Sequence, residues 1–281
     1  EMCIRDRIKH KDDIQSNKNH LNSLKGKNAI VTGGSQGVGF AIAQGLARED
    51  CNVALGARGK DKLDKAAKEL ETMGIKAISI ISDFSTSDGC NNFVQEAVNT
   101  LGGVDIVINN VGGMVPGNIE SISDKDWQET MDRNLMSYIW TSRAAVPHLR
   151  KSTAGRVLSV SGLSGTQLLP GSWSTTITNA GIHGMTKLLA NELATDNITV
   201  NAIAPGTVKT EAWMGPRADA VAKARGITSD EVRKMMSANA MLDRLAEPEE
   251  IGDVAAFLVS EKNSYMTGTV VEVCGGWGKY I

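Results

Sequence analysis

The chain has 281 residues, of which 41% are hydrophobic and 22% charged, and these values are typical of a soluble globular protein with one large α/β domain or two small ones. Its 30 Lys and Arg and 32 Asp and Glu give a net charge of −2 at pH 7, which argues against nucleic acid as a partner. No run of about 18 apolar residues is present, so the sequence predicts no membrane span.

The cysteines and the N-terminal residues both indicate a cytoplasmic protein. Cys3, Cys51, Cys90 and Cys274 lie far apart and form no Cys-x-x-Cys pair, which argues against a disulfide framework and a metal site. Residues 1–25 are polar and lack the apolar segment of a signal peptide. We predict a mostly mobile extension over 1–25, followed by one domain over 26–281.

From Lys27 onward, short β-branched runs alternate with longer helical patterns. The predicted strands are 28–33, 52–57, 76–82, 104–110, 155–161, 198–204 and 269–273. Helices are predicted at 37–49 and 60–73, and the clearest of the other helical patterns are 127–150, 173–195 and 249–260. Because this alternation produces βαβ units, we predict an α/β fold: a Rossmann-type, doubly wound, seven-stranded parallel sheet in a single domain.

A glycine-rich turn, TGGSQGVG at 32–39, joins the first strand to the first helix. Gly33 permits a tight turn, Gly37 lets the backbone approach a pyrophosphate, and Gly39 lets the helix pack close to the sheet. The N-terminus of the helix supplies free N–H groups and a favourable field for phosphate. In this strand–turn–helix setting, the motif predicts a dinucleotide site.

From about Lys27 to its end, the chain resembles the short-chain dehydrogenase/reductase family. The matching segments are TGGSQGVG (32–39), NNVGG (109–113), DRNLMS (132–137), PGTVKT (205–210) and the C-terminal stretch 244–277. A departure is Cys274, where the family usually has Asp before two glycines. The resemblance implies that the cofactor-binding residues are Gly33, Ser35, Gln36, Gly37, Val38, Gly39, Arg58, Asp83, Asn110, Gly112, Pro205, Gly206, Val208 and Thr210.

The end of the second strand bears on the choice of nicotinamide cofactor. NAD enzymes usually place an acidic residue there to bind the ribose 2′-hydroxyl. This chain reads LGARGK at 55–60, with Arg58 and Lys60 and no acid. Since a guanidinium pairs well with a phosphate, we expect NADP(H) rather than NAD(H). The alternative is that Arg58 is a solvated loop residue.

The resemblance also implies a catalytic serine after the fifth strand and a Tyr-x-x-x-Lys pair on the next helix. Counting without gaps between GRVLSVSGLSG (155–165) and NAGIHGMTKLLANELA (179–194) puts Gly162, Thr175 and Asn179 at these three positions. The family's active-site asparagine remains, as Asn134. We therefore take Asn134, Ser161, Thr175 and Asn179 as the candidate catalytic residues.

No other residues restore the missing pair in the sequence. None of Tyr138, Tyr265 and Tyr280 has Lys four residues later. His183 precedes Lys187 by four residues and titrates near neutral pH. However, it lies one turn beyond Asn179, so packing or a subunit contact is the preferred interpretation. Without a positioned general acid, the usual reaction is expected to lose about 10²–10⁴ in rate.

Residues 207–245 correspond to the segment that covers the substrate in this family. Its large apolar residues are candidates for the lid: Trp213, Met214, Met235, Met236 and Met241. Arg217, Arg225 and Arg233 are candidates for binding an anionic substrate or are simply solvated. The substrate is expected to be a small molecule, and the family implies a homo-tetramer or homo-dimer packed through 127–150 and 173–195.

Three functions remain open from the sequence. The first is an NAD(P)(H)-dependent oxidoreductase acting on a small carbonyl or alcohol through a non-standard proton relay. The second is a nucleotide-binding pseudo-enzyme. The third is a non-redox lyase or isomerase on the same scaffold.

Overall fold

A computed structural model describes residues 23–167 and 171–277. Its strands are β1 Asn28–Thr32, β2 Asn52–Ala57, β3 Ala77–Ile81, β4 Ile106–Asn109, β5 Arg156–Val160, β6 Thr199–Pro205 and β7 Val270–Val273. They form one sheet in the order β3-β2-β1-β4-β5-β6-β7, and all neighbours are parallel. This confirms the predicted doubly wound, seven-stranded parallel sheet.

The helices of the described residues alternate with these strands. They are α1 Gly37–Arg48, α2 Lys60–Glu71, α3 Ser87–Leu101, α4 Asp124–Met131, α5 Ser137–Leu149, α6 Trp173–Leu193, α7 Glu211–Met214, α8 Pro216–Arg225, α9 Ser229–Ala238 and α10 Pro248–Val259. The helical pattern predicted at 127–150 is α4 and α5, joined by a π-helical segment, Asp132–Met136. Within the described ranges, no helix has the length and apolar character needed to cross a bilayer.

Both faces of the sheet are covered by helices. Val31 of β1 packs in one core cluster with residues of α1, α2 and α10. Its neighbour Ile30 packs in a second cluster with residues of α3, α5 and α6. Since successive side chains of a strand point to opposite faces, these clusters form two layers. This burial on both faces explains why the strands are almost continuously apolar.

The ordered domain begins before the boundary at residue 26. Leu24 is only 2% exposed and belongs to the core cluster beside α1. The backbone N–H of Ser23 donates to Glu49 Oε2 at 2.9 Å. Residues 1–22 of the predicted extension lie outside the described residues. The described part of the domain therefore includes Ser23 to Lys25.

The segment predicted as a substrate lid contains α7, α8 and α9. A small core holds α8 and α9 together, formed by Ala218, Ala222 and Val232 with partly buried Trp213 and Met236. Thr228 and Glu231 form a reciprocal capping box that fixes the start of α9. The lid thus has a hydrophobic core of its own, separate from the two layers of the sheet.

Candidate active site

The segments predicted to bind cofactor and substrate meet at one edge of the sheet. β1 and β4 are neighbours, and the chain leaves β1 toward β2 and β3 but leaves β4 toward β5, β6 and β7. This change of direction is a topological switch point, where doubly wound sheets bind ligands outside the carboxyl ends of the strands. The glycine-rich turn follows β1 there, and the NNVGG segment continues from β4.

The glycine-rich turn has no room for larger residues at two positions. Gly33 has a positive φ of 67°, a conformation that favours glycine. A Cβ on Gly39 would lie 2.3 Å from Asn110 Nδ2 and 2.5 Å from Gly33 O. Asn110 Nδ2 donates to the carbonyl oxygens of Thr32 and Gly33, both at 3.1 Å. The side chain of Asn110 therefore holds the backbone of the turn in place.

The start of α1 fits a dinucleotide pyrophosphate. The N-cap residue Gln36 makes no side-chain cap hydrogen bond, which leaves first-turn N–H groups available for phosphate. Gly37 has a φ of 62°, and the atom nearest to a Cβ built on it would be Thr210 Cγ2, at 3.6 Å. Ser35 and Val38 flank this stretch. The turn thus exposes backbone at the position where the motif requires it.

Arg58 and Asp83 follow β2 and β3 at the adjacent end of the site, and both are exposed. Asp83 accepts hydrogen bonds from the N and Oγ of Ser85 at 3.0 and 2.8 Å. These bonds lower the pKa of Asp83, and the positive charge of Arg58 lowers it further. In contrast, Lys60 is bonded to Asp64 at 2.6 Å. Arg58 is therefore better placed than Lys60 to meet an added phosphate.

The segment 205–210 leads from β6 to α7, and its last residue, Thr210, approaches the glycine-rich turn. Gly206 N donates to Val273 O at 2.9 Å, and a Cβ on Gly206 would lie 3.0 Å from the Cα of Cys274. Val208 is buried and forms an isolated bridge with Ala246, so its side chain packs into the core. Pro205 ends β6, and the N–H of Thr210 donates to Val208 O at 2.8 Å. The segment is thus fixed at both ends.

The side chain of Asn134 holds the loop after β4. Its Nδ2 donates to Gly113 O at 2.6 Å, and its Oδ1 accepts from Gly113 N at 3.0 Å. Arg133 Nε also donates to this Oδ1, at 3.3 Å. The residue lies in the π-helical segment, an irregularity that often marks functional sites. Asn134 therefore positions Gly112 and Gly113.

The three positions assigned by counting come together in space. A Cβ on Gly162 would lie 2.9 Å from Asn179 Nδ2, so the serine position faces the lysine position across β5 and α6. Asn179 Nδ2 instead donates to Ser164 Oγ at 2.9 Å. The Thr175 hydroxyl donates to Ser172 O at 3.1 Å. The site therefore contains hydroxyl and amide groups where the resemblance implies acid–base residues.

The two described tyrosines lie in opposite environments, one buried and one exposed. Tyr138 is buried, and its hydroxyl donates to Val160 O at 2.7 Å. Burial raises the pKa of Tyr138 far above its usual range. Tyr265 is 98% exposed. Tyr280 lies outside the described residues.

His183 and Ser161 form a polar contact that the sequence did not predict. Ser161 Oγ lies 2.9 Å from His183 Nε2 and 3.2 Å from Ile203 O. A Cβ on Gly165 would lie 2.4 Å from His183 Cε1, so this loop packs tightly on the imidazole ring. Burial lowers the pKa of His183, and the carboxylate of Glu272 opposes that shift. His183 thus packs as expected and also bonds to a candidate catalytic residue.

A small cavity of about 130 Å³ lies where the lid meets the ends of β6 and β7. Thr207, Met236, Leu242, Cys274 and Trp277 contribute to its lining. Met236 of α9 is therefore one of the residues around this cavity. The surface of the cavity is mainly apolar.

Most of the other lid candidates do not line this cavity. Met214, Met235 and Met241 are exposed. Arg233 pairs with Asp230 on the same helix, and Arg217 lies 5.2 Å from the centre of the Trp213 ring. Arg225 is exposed at the end of α8. The positive charges of Arg217 and Arg233 are therefore engaged within the lid.

Comparisons with known proteins agree with this geometry. Residues 33–278 match a family model described as enoyl-(acyl carrier protein) reductase. A 3-oxoacyl-[acyl-carrier-protein] reductase of Staphylococcus epidermidis is 31% identical over 251 residues, covering 89% of this chain and 98% of that protein. The oxidoreductase UcpA of Salmonella typhimurium is 35% identical over 258 residues, covering 91% of this chain and 96% of that protein.

Among solved structures, the chain is similar to L-sorbose reductase of Gluconobacter frateurii in complex with NADPH and L-sorbose. The TM-score is 0.87 at 32% identity, and the match covers 92% of this chain and 98% of that chain. These matches span nearly the whole domain and include the switch point with its glycine-rich turn. The chain therefore belongs to the short-chain dehydrogenase/reductase family, whose members are NAD(P)-dependent oxidoreductases.

Proposed function

We propose that the protein is an NADP(H)-dependent oxidoreductase that interconverts a small carbonyl compound and its alcohol through a non-standard proton relay. The observation that carries this proposal is the glycine-rich turn at the switch point, where a Cβ on Gly39 would collide with Asn110 Nδ2 at 2.3 Å. The similar sorbose reductase is a complex with NADPH and a small sugar. Both support a working cofactor site.

The preference for NADP(H) rests on the residues at the end of β2. Arg58 is exposed at the end of β2, and residues 55–60 include no acid to bind a 2′-hydroxyl. A guanidinium binds a 2′-phosphate in two hydrogen bonds, which a 2′-hydroxyl cannot reproduce. When bound, the nicotinamide supplies or accepts a hydride. Gly33, Gly37, Gly39 and the segment 205–210 would hold the pyrophosphate and nicotinamide ends.

The chain is, on this proposal, a divergent member that lacks the Ser, Tyr and Lys implied by the resemblance. Gly162 and Asn179 face each other, with 2.9 Å between Asn179 Nδ2 and a Cβ built on Gly162, which supports the gapless alignment. Thr175 lies one turn before Asn179 on α6, so the two share a face. A threonine hydroxyl can orient a substrate oxygen but does not ionise near neutral pH.

The proton therefore has to come from another group, and the pair of Ser161 and His183 is suited to this. When His183 Nε2 is unprotonated, it accepts the Ser161 hydroxyl proton at 2.9 Å. When Nε2 carries a proton, it donates to Ser161 Oγ, and Ser161 donates to Ile203 O at 3.2 Å. The hydrogen bond between His183 Nε2 and Ser161 Oγ is kept in both states. Asn134, through Gly113, holds the facing wall of the site.

A nucleotide-binding pseudo-enzyme is the second candidate. It is favoured by the hydrogen bonds that already occupy Asn179 and Thr175, to Ser164 Oγ and to Ser172 O. Such a protein would retain the turn and Arg58 but would not transfer hydride. The two candidates therefore agree on cofactor binding and differ on turnover.

The test of the proposed function is hydride transfer. Purified protein is incubated with NADPH deuterated at C4 and a panel of small ketones, aldehydes and keto-sugars, and the products are analysed by mass spectrometry. The proposal predicts an alcohol that carries deuterium at the former carbonyl carbon. NADPH that binds but transfers no deuterium to any member of the panel favours the pseudo-enzyme.

A homo-oligomer packed through α6 is part of the proposal. Trp173 and Ile177 are 43% and 44% exposed, and Leu188 is 74% exposed. These residues all lie on α6, where Gly184 has no atom within 4 Å of a built Cβ. Exposed apolar side chains on one helix are typical of a surface that is covered in an assembly.

A further inference from the structure

Lys62 joins three parts of the molecule that meet beside the predicted cofactor site. It lies on α2, and its Nζ donates to Gln36 Oε1 of the glycine-rich turn at 2.7 Å. The same Nζ lies 3.3 Å from Glu211 Oε2, and Glu211 is the first residue of α7 in the lid. The turn, α2 and the lid are thus linked through one ammonium group.

The base of the lid also touches the turn directly. Thr210, the residue before Glu211, has its Cγ2 3.6 Å from a Cβ built on Gly37. Since Lys62 Nζ contacts both Gln36 Oε1 and Glu211 Oε2, the Glu211 carboxylate also lies beside the turn that would receive the cofactor. A bound phosphate and the Glu211 carboxylate are both attracted to the Lys62 ammonium group, and they repel each other. The two anions therefore compete for it.

The link between Lys62 and Glu211 is easy to replace. The two side chains are 60% and 74% exposed, and exposed ion pairs stabilise proteins little. A phosphate monoester carries a charge of about −1.5 to −2 near neutral pH, which is more than a carboxylate carries.

The geometry points to Lys62 as a second ligand, with Arg58, of the 2′-phosphate of NADP(H), and to Glu211 as the counter-ion that this phosphate displaces. Displacement frees the start of α7, so cofactor binding loosens the base of the lid. This inference rests on the proposed function, because it assumes that the dinucleotide binds at the turn. It adds a residue that selects the cofactor and a link between cofactor and lid.

The test measures binding to the full chain by calorimetry, without turnover. The probes are adenosine 2′,5′-bisphosphate, which carries the 2′-phosphate, and 5′-AMP, which lacks it. Lys62→Gln should lower the affinity for the bisphosphate roughly tenfold and change the affinity for 5′-AMP less than about twofold. Lys65→Gln removes an exposed charge from the same helix and should change neither. Glu211→Gln should strengthen the bisphosphate about two- to threefold, whereas Glu71→Gln should have no effect.

The outcomes separate this inference from the proposed function. The inference is overturned if Lys62→Gln lowers the affinity for both probes equally or for neither. It is also overturned if Glu211→Gln lowers the affinity for the bisphosphate. In these cases NADPH binding by the wild type still supports the proposed function. If the wild type binds neither probe nor NADPH, both proposals fail.

Hydrogen exchange gives a second readout for the lid. Saturating adenosine 2′,5′-bisphosphate should increase amide exchange over Glu211–Met214, and Glu211→Gln should show that faster exchange without ligand. Unchanged or slower exchange in this segment upon binding would overturn the proposed link to the lid.

Discussion

His183 Nε2 lies 2.9 Å from Ser161 Oγ, so a titratable group on α6 contacts the loop that follows β5. The pair lies next to Gly162 and Asn179, where the resemblance implies a serine and a lysine. Thr175, Asn179 and His183 are spaced by four residues and share one face of α6. His183 is therefore the group proposed to supply the proton.

The activity of His183 variants tests this relay. His183→Gln should lower kcat for carbonyl reduction by about 10²–10⁴ and flatten its dependence on pH, because glutamine hydrogen-bonds but does not donate a proton. The wild-type rate should fall as the pH rises through the lowered pKa of His183. His148→Gln is the matched control. A His183→Gln variant with the wild-type pH profile would rule out the relay.

The stability of the protein should depend on the same group. Burial lowers the pKa of His183 below the unfolded value of about 6.5, so folding favours the neutral form. This contribution is fully present above about pH 6.5 and is lost as the pH falls through the lower folded pKa. Urea unfolding at pH 7.5 and 5.5 should show a smaller loss of stability for His183→Gln than for the wild type. Equal losses of stability in the two proteins would show that His183 does not contribute to the pH dependence.

Restoring the three missing groups should increase turnover. Gly162→Ser combined with Thr175→Tyr and Asn179→Lys should raise kcat by about 10²–10⁴. Gly162→Ser alone should not, because Thr175 and Asn179 still provide no acid–base pair. The rate of NADPH consumption measures the turnover of the triple and the single variant. A triple variant that folds and binds NADPH with unchanged turnover would show that these positions are misassigned.

Arg58 should determine the choice between the two cofactors. Arg58→Gln should weaken NADPH binding about tenfold and leave NADH nearly unchanged, because only NADPH has a 2′-phosphate for the guanidinium. Lys60→Gln serves as the control, since Lys60 is bonded to Asp64 at 2.6 Å. Equal weakening of both cofactors by Arg58→Gln would assign the residue to a general electrostatic role.

The exposed residues of α6 predict the state of assembly. Leu188 is 74% exposed, and Leu188→Asp should shift the protein toward smaller species in light scattering, because a buried carboxylate in an interface is costly. Leu242→Asp is the comparison, since Leu242 is 63% exposed but lies outside α6. A wild-type monomer would contradict the predicted oligomer.

The fold could be predicted from sequence because its signals are local. The strand predicted at 198–204 is Thr199–Pro205, and the helix predicted at 37–49 is Gly37–Arg48. Apolar runs and glycine-rich turns report directly on a covered parallel sheet. The helix predicted at 127–150 was less accurate, because a π-helical segment at Asp132–Met136 leaves no mark in hydrophobic periodicity.

The site could be predicted only where a motif specifies it. Gly39 and Asn110 belong to motifs, and their contact follows from the switch point. His183 and Ser161 are 22 residues apart, and Lys62 and Glu211 are 149 apart. No spacing rule connects such residues, because their contacts depend on the packing of separate loops and helices. The same holds for Arg217, whose guanidinium lies over the Trp213 ring.

The proposed function requires that the chain binds NADP(H) at the switch point and transfers hydride with it. The most direct measurement is a titration of the purified protein with NADPH and with NADH, followed by cofactor fluorescence. We expect saturable binding of NADPH, tighter than that of NADH, and loss of this difference in Arg58→Gln. Failure of both cofactors to bind would contradict the proposed oxidoreductase function.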